Sequence, residues 1–385
     1  METPNLMRIA FLYNAQNHHV LHSLPIACEL SRISDMAVTI LARTQEQLEL
    51  ARRLSLLYPD NRLTYEMLDH PAFLPRFSGA SKWAKRLSLV TNRRRLNAFD
   101  ALVLPERTSL QLKRFGVTRP RYIHTFHGPS GHDRVADRRL REFDLLLAPS
   151  ARRLDRIAAV TASRPGHCAV IGYSKIDLVR RMGQADASLV RNDRPTILYN
   201  PHHWPDKSSW PVMGRDVLYH FRDRADFNLI FAPHVRLFDP PARYAAEFRE
   251  FSGFEHLLID LGSERSIDMT YTLSADIYLG DVSSQVFEFA ARPRPCIFLN
   301  PRGLAWEHDD NFASWRLGRV VTDLHELDAI LATIPQWQPQ CEALQRESAA
   351  ENFPELGMPA PIRGARAIAA FLRHGELRPG WDDEH

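Results

Sequence analysis

A chain of 385 residues, 44% hydrophobic and 25% charged, has the composition of a soluble globular protein and is long enough to bury two ordinary cores. Its formal net charge of +3 is too small to argue for a nucleic-acid partner, and none is expected. Four widely spaced cysteines, Cys28, Cys168, Cys296 and Cys341, include no CxxC pair, so reduced buried thiols are expected rather than disulfides or a zinc site. Residues 1–8 are polar and lack a signal-peptide core, and no apolar run reaches bilayer length. A cytoplasmic protein is expected, at most peripheral to the inner face of the cell membrane.

Taken in chain order, short apolar runs alternate with helical patterns. Strands are predicted at Arg8–Asn14, Ala37–Ala42, Arg62–Leu68, Ala101–Pro105, Tyr122–Phe126, Leu145–Ala148 and Ala169–Gly172. Helices are predicted between them near Leu24–Ser31, Gln45–Leu57, Ser81–Asn97 and Arg152–Thr161. The second half repeats the style, with strands at Thr196–Asn200, Leu229–Pro233, His256–Asp260, Ile277–Leu279, Cys296–Leu299 and Val320–Val321. Its helices fall near Pro211–Asp223, Ile267–Leu273, Gln285–Ala291 and Leu324–Thr333. Such alternation means parallel sheets built from βαβ units. The expected fold is α/β, with two Rossmann-like domains of parallel sheets facing across a cleft. Residues 1–180 form the first domain, 190–360 the second, and 361–376 a C-terminal helix crossing back to the first domain. A polar linker spans roughly Gly172–Arg194, and 377–385 read as a disordered tail.

Residues 81–96 are basic, contain no acid, and place Trp83, Leu87 and Val90 at near-helical spacing. They read either as a helix for an anionic membrane surface or polyanionic acceptor, or as a core-facing helix with a basic exposed side.

Chemistry-bearing residues gather at strand ends, where open α/β sheets bind ligands. His127-Gly128 closes a strand of the first half; a histidine there suits a general base, and the glycine lets substrate approach the backbone. In the second half, Asn200-Pro201-His202-His203-Trp204 closes one strand and Pro233-His234 the next, with Arg236 close behind. A third strand ends in Gly280-Asp281-Val282-Ser283-Ser284, and the serines open a helix. Its free N–H groups and dipole would attract phosphate, while Glu288, one turn on, could reach a ribose hydroxyl. The alternative for that segment is an ordinary capped helix with a solvated glutamate. His18, His19 and His22, together with His202 and His203, raise the question of a metal. No acid–histidine spacing of a metal motif accompanies them, so neither a metal nor another cofactor is expected. The chain has no Walker loop, no GxGxxG after a strand and no GxSxG elbow, which argues against P-loop kinases, NAD enzymes and serine hydrolases.

Three motifs in order, His127-Gly128, Pro233-His234, and Asp281-Val-Ser283-Ser284 with Glu288 and Pro295, resemble the CDP-glycerol glycerophosphotransferases of teichoic acid and capsule synthesis. The resemblance covers scattered blocks from Tyr122 to Asn300. It implies a GT-B fold, with 1–180 as acceptor domain and 190–360 as nucleotide-donor domain, and transfer of an alditol phosphate from a CDP-alditol to an acceptor hydroxyl, with release of CMP. It also implies His127 as base toward the acceptor, and His234, Ser283 and Ser284 as phosphate-binding groups. The expected partners are therefore a nucleotide-activated donor and a glycan or lipid-linked acceptor. Where the family carries a threonine and then a lysine after its His-Gly pair, this chain has Pro129, Ser130, Gly131 and His132, with Arg134 the nearest cation. The run Asn200–Trp204 also departs from the family's pattern. Three other readings are compatible with the sequence: a GT-B glycosyltransferase using a nucleotide sugar for capsule or lipopolysaccharide, a hydrolysing UDP-N-acetylhexosamine epimerase, and a scaffold without catalysis.

Overall fold

Short strands rich in Ile, Leu, Val and Phe, buried on both faces, favour parallel pairing with helices covering either side. The structure, a computed structural model, describes residues 6–69, 82–129, 138–161, 164–183, 192–224 and 226–383. The chain divides into two units: residues 1–182 with 352–385, and residues 183–351.

In the first unit the strands are β1 (Met7–Tyr13), β2 (Met36–Ala42), β3 (Thr64–Met67), β4 (Ala101–Leu104), β5 (Arg121–Thr125), β6 (Leu145–Ala148) and β7 (Cys168–Val170). All are parallel, in the order β3-β2-β1-β4-β5-β6-β7. The second unit has β8 (Thr196–Asn200), β9 (Asn228–Phe231), β10 (Leu257–Ile259), β11 (Ile277–Gly280), β12 (Cys296–Leu299) and β13 (Arg319–Val321). Its sheet is also parallel, in the order β10-β9-β8-β11-β12-β13. Each sheet reverses its strand order beside its first strand, at β1/β4 and at β8/β11. The loops leaving the carboxyl ends diverge there and open a crevice. Both halves are therefore Rossmann-like, as the alternation predicts.

Three helices differ from expectation. The first begins at His18 rather than near Leu24 and runs to Leu30, with Pro25 in its interior. A proline there loses one backbone hydrogen bond. Every residue from His19 to Leu30 is buried, and that burial offsets the loss. His18, His19 and His22 thus sit on a helix, not in a loop. A second helix, Ser174–Met182, occupies part of the expected linker and belongs to the first unit. Residues 184–191 of that linker lie outside the described residues. The third, Ile334–Asn352, is polar and weakly patterned. Trp337 and Cys341 enter the core, and fully buried Gln345 extends that edge, its Nε2 donating to Arg294 O (2.8 Å) and Leu317 O (2.6 Å), so apolar periodicity reveals it only weakly.

The basic segment forms helices Lys82–Thr91 and Arg93–Leu96. Leu89 and Leu96 are buried in the first unit's core, and Arg95 donates to Met67 O (2.8 Å) and pairs with Glu66. Arg86, Arg93 and Arg94 are exposed. Ser81 lies outside the described residues, as does the side chain of Trp83. Among the described residues no helix is long and apolar enough to cross a membrane.

The helix Ala360–His374 returns to the first unit and packs on the helix His18–Leu30. Arg373 pairs with Asp35 at 2.8 Å across this seam. After Gly375 the chain does not trail off: Leu377 is buried, with its N–H bonded to Gly166 O (2.8 Å), and Asp382 pairs with Arg363 at 2.8 Å. Gly364 faces Ile26 so closely that an added Cβ would lie 3.0 Å from two of its carbons. Gly364→Val is therefore expected to lower the stability of the first unit by about 1–3 kcal/mol through overpacking. Urea unfolding reads this, and an unchanged midpoint would mean that the seam is looser than these distances imply.

Candidate functional site

In the second unit three loops leave adjacent strands at the switch point. Asn200 ends β8 but is not available to a ligand. It is buried, its Nδ2 donates to Ala232 O (2.6 Å), and its Oδ1 accepts from the Tyr278 hydroxyl (3.2 Å). It therefore fastens β8 to the end of β9. Asp281, just past β11, is likewise a fastener and fully buried. Its Oδ2 accepts the N–H groups of His202 and Ser209, both at 2.9 Å, so one carboxylate oxygen pins both ends of the 202–209 loop. Gly280 lets this happen, because a Cβ there would stand 2.8 Å from Asn200 O. Asn200 and Asp281, expected to touch the donor, are buried and bonded to the backbone around the 202–209 loop. Ser209 was not foreseen; its signal is a serine spaced to meet an acid from a neighbouring strand, visible only once the pairing is known.

The loop brings His202 and His203 against His234, whose own N–H is bonded to Pro201 O (3.0 Å). The ring centroids are 4.4 Å apart for His202–His203, 4.2 Å for His203–His234 and 5.3 Å for His202–His234. Backbone geometry fixes the proton on two of these rings. His202 Nδ1 accepts the N–H of Trp204 (3.1 Å), and His234 Nδ1 accepts that of Arg236 (3.2 Å). A neutral imidazole that accepts at one nitrogen carries its proton on the other. His202 and His234 therefore present Nε2–H groups, which are hydrogen-bond donors suited to phosphoryl oxygens. The side chain of Arg236 is exposed nearby in sequence.

The helix after β11 corrects the reading of its amino end. It spans only Gln285–Phe289, and its first N–H groups already have acceptors: Gln285 N–H on Ser283 Oγ (3.2 Å), Val286 N–H on Ser283 O (3.3 Å) and Phe287 N–H on Ser284 O (3.2 Å). What remains for an anion is the serine hydroxyls. Ser283 is buried, and half-buried Ser284 makes no capping bond with its side chain. Glu288 is buried too, and so is not the solvated glutamate of the alternative reading.

In the first unit His127 follows β5 and is exposed; Gly128 after it is half-buried. Its Nδ1 lies 2.7 Å from Pro105 O, and a carbonyl can only accept. The proton therefore sits on Nδ1, and Nε2 carries a lone pair, the reverse of His234. Pro105 is held in turn by its neighbour: buried Glu106 accepts the N–H of Ser109 (3.0 Å) and bonds to Thr108, closing the turn after β4. Although His127 is exposed overall, the protein packed around its ring lowers its pKa, and the Arg107 and Arg153 cations add to this. His18, His19 and His22 surround it, with ring centroids 5.9, 4.7 and 6.4 Å away. Burial holds His19 and His22 well below the ordinary histidine range, helped by Lys85 near the first and Lys175 near the second. Ser130, Gly131, His132 and Arg134 lie outside the described residues.

No family model matches the chain, and no curated protein matches it. Solved structures do. A variant of the wall teichoic acid polymerase TagF soaked with CDPG is 15% identical, with 97% of this chain and 90% of that one covered at a TM-score of 0.63. The S. aureus MnaA–UDP complex is 10% identical, with 97% and 99% covered at 0.64. UDP-GlcNAc 2-epimerase from Neisseria meningitidis bound to UDP-GlcNAc is 12% identical, with 96% and 100% covered at 0.56. At these identities the likeness establishes the fold, GT-B with two Rossmann-like units.

Burial raises the Asp281 carboxyl from an ordinary 3.8 to about 6, against the bonds from His202 and Ser209 that lower it. A folded-state pKa above the unfolded one contributes stability that is full below about pH 4 and is lost as pH rises through about 6. The whole effect is about 3 kcal/mol. Asp281→Asn cannot titrate, so from pH 4 to pH 7 the second unit should lose up to about that much more stability in the parent than in the variant. Parallel pH dependences in urea unfolding would mean that burial does not raise the Asp281 pKa above its unfolded value.

Proposed function

We propose that this protein is a transferase that moves an alditol phosphate, glycerol phosphate or a similar unit, from a CDP-alditol to a hydroxyl of a cell-surface polysaccharide or its precursor. The observation that carries this reading is the opposite protonation of two strand-end histidines. His127 offers a lone pair at Nε2, the form a general base needs. His234 and His202 offer Nε2–H, the form that stabilises charge on a phosphate. The likeness in fold to a polymerase soaked with CDPG supports the choice of donor.

In this reading the second unit holds the donor diphosphate through His202, His234, Ser283, Ser284 and Arg236, on a loop shaped by Asn200 and Asp281. Glu288 is buried behind the serines. The acceptor hydroxyl gives its proton to His127 Nε2 as its oxygen attacks the alditol-bearing phosphorus. The bond from that phosphorus to the bridging oxygen breaks, and CMP leaves with the electron pair. The N–H and O–H donors hold the charge that develops on it. The acceptor is a glycan or lipid-linked glycan at the inner face of the membrane, and exposed Arg86, Arg93 and Arg94 favour contact with that anionic surface.

With CDP-glycerol as donor, His127→Ala should lower turnover by about 10²–10⁴-fold while calorimetric donor affinity stays close to the parent's. His234→Ala should weaken donor binding about tenfold or more, the cost of losing a hydrogen bond to a charged group. The products should be CMP and a new phosphodiester seen by phosphorus NMR. Release of a nucleoside diphosphate from a nucleotide sugar would instead make it a glycosyltransferase. UDP released from UDP-N-acetylglucosamine without acceptor would make it a hydrolysing epimerase.

A further inference from the structure

We propose that His18, His19 and His127 of the first unit form a binding site for one divalent transition-metal ion. A ligating nitrogen from each lies within 4.8 Å of the others, before any ion has drawn them together. Tetrahedral zinc at about 2.0–2.1 Å from each nitrogen needs them roughly 3.4 Å apart, a contraction that small rotations of three rings supply. The ring centroids, 4.4 Å for His18–His19, 4.7 Å for His19–His127 and 5.9 Å for His18–His127, already bracket such a cluster.

Two features make this a ligand set rather than a crowd of rings. The first is the bond from His127 Nδ1–H to Pro105 O: histidines that ligate metals usually give the other ring N–H to a carbonyl or carboxylate, which aims the lone pair. The second is buried polar atoms. Nδ1 of His19 and Nδ1 of His22 have no hydrogen-bond partner, although both residues are at least nine-tenths buried. His22 lies one turn beyond His18 on the same helix, its centroid 6.2 Å away, and so stands behind the trio as a fourth ring.

The second unit supplies the contrast. His202, His203 and His234 are as tightly grouped, yet Nδ1 of His202 and of His234 is occupied by a backbone N–H, so their Nε2 atoms carry protons that would oppose an ion. Imidazole selects Zn²⁺, Co²⁺, Ni²⁺ or Cu²⁺ over Mg²⁺ and Ca²⁺. Lys85, Lys175, Arg107 and Arg153 act on the cluster's histidines and weaken its affinity for a bare dication. The same cations favour an anionic oxygen at the ion's remaining position. An ion here takes the His127 lone pair, so metal binding and base catalysis exclude each other. That consequence rests on the transferase reading; the binding itself does not.

The test uses the full-length, tag-free chain titrated with Co²⁺ and followed by its visible ligand-field absorption, with Zn²⁺ competition and equilibrium dialysis for stoichiometry. One ion per chain is expected, with an intense tetrahedral Co²⁺ band. His18→Ala and His127→Ala, at half-buried and exposed positions that the fold tolerates, should each weaken binding tenfold or more. His202→Ala should leave it unchanged. The proposal is overturned if neither Co²⁺ nor Zn²⁺ binds, if both first-unit variants bind like the parent, or if His202→Ala abolishes binding. Zn²⁺ that binds and reversibly stops turnover supports site and consequence together. Zn²⁺ that binds a chain inert toward every donor keeps the site and removes the transferase reading.

Discussion

An imidazole has one proton to place in its neutral form, and in this protein the backbone beside each ring decides where it goes. At His127 the nearest main-chain group is the carbonyl of Pro105, which can only accept, so Nδ1 is protonated and Nε2 is basic. At His234 it is the N–H of Arg236, two residues on in the same loop, which can only donate, so Nε2 is protonated. Both residues follow strands at the carboxyl edge of a parallel sheet, and composition does not tell them apart. The difference lies in loop geometry. After β9 the chain turns so tightly that His234 meets its own loop. After β5, His127 reaches across to the end of β4, a turn held by Glu106.

That dependence makes the supporting residues as important to function as the rings they place. Asp281 is fully buried, yet one of its oxygens fixes the loop that carries His202 at two points. Burying a carboxylate is costly, and two N–H bonds recover only part of that cost, which is why its pKa stays raised. Asn200 ties β8 to the end of β9 in the same way. Gly280 carries no side chain because Asn200 O occupies the space. The switch point of the second unit is thus a rigid frame of buried polar contacts with three imidazoles on its rim.

Much of this was legible in the sequence, and what was not has identifiable physical causes. All thirteen strands fall where predicted; the central ones, buried on both faces, leave a continuous apolar signature, whereas the edge strand β3 is half-exposed. The placement of His127 in the first unit, and of His234 and the serine turn in the second, at strand ends follows from the same alternation. The helix Ile334–Asn352 was not legible because its apolar edge is only Ile334, Trp337 and Cys341, continued by the buried glutamine Gln345 among many polar residues. The true start of the helix His18–Leu30 was masked by Pro25, which reads as a first-turn proline but sits mid-helix. The roles of Asn200 and Asp281 could not be separated from ligand contact, because a buried polar residue and a binding residue look alike until partners are known. Tautomers are invisible to sequence altogether.

The amino end of the helix Gln285–Phe289 shows why that last point matters for the chemistry. A serine pair before an apolar helix suggests that free N–H groups and a macrodipole will hold phosphate. A helix of this length aligns few peptide dipoles, and its first-turn N–H groups are already bonded to Ser283 and Ser284. An anion arriving there meets hydroxyls, not a charged helix terminus. Under the proposed function, neutral hydroxyls alone would neutralise little of the charge on a diphosphate, and the remaining stabilisation would come from groups at the same sheet edge. His202 and His234 are such groups, with donors oriented before any ligand arrives. Protonating either ring would set a second N–H against the backbone N–H it now accepts, so the pair works as neutral donors rather than as cations. In these neutral forms His202 and His234 hold an N–H outward while His127 holds a lone pair at Nε2.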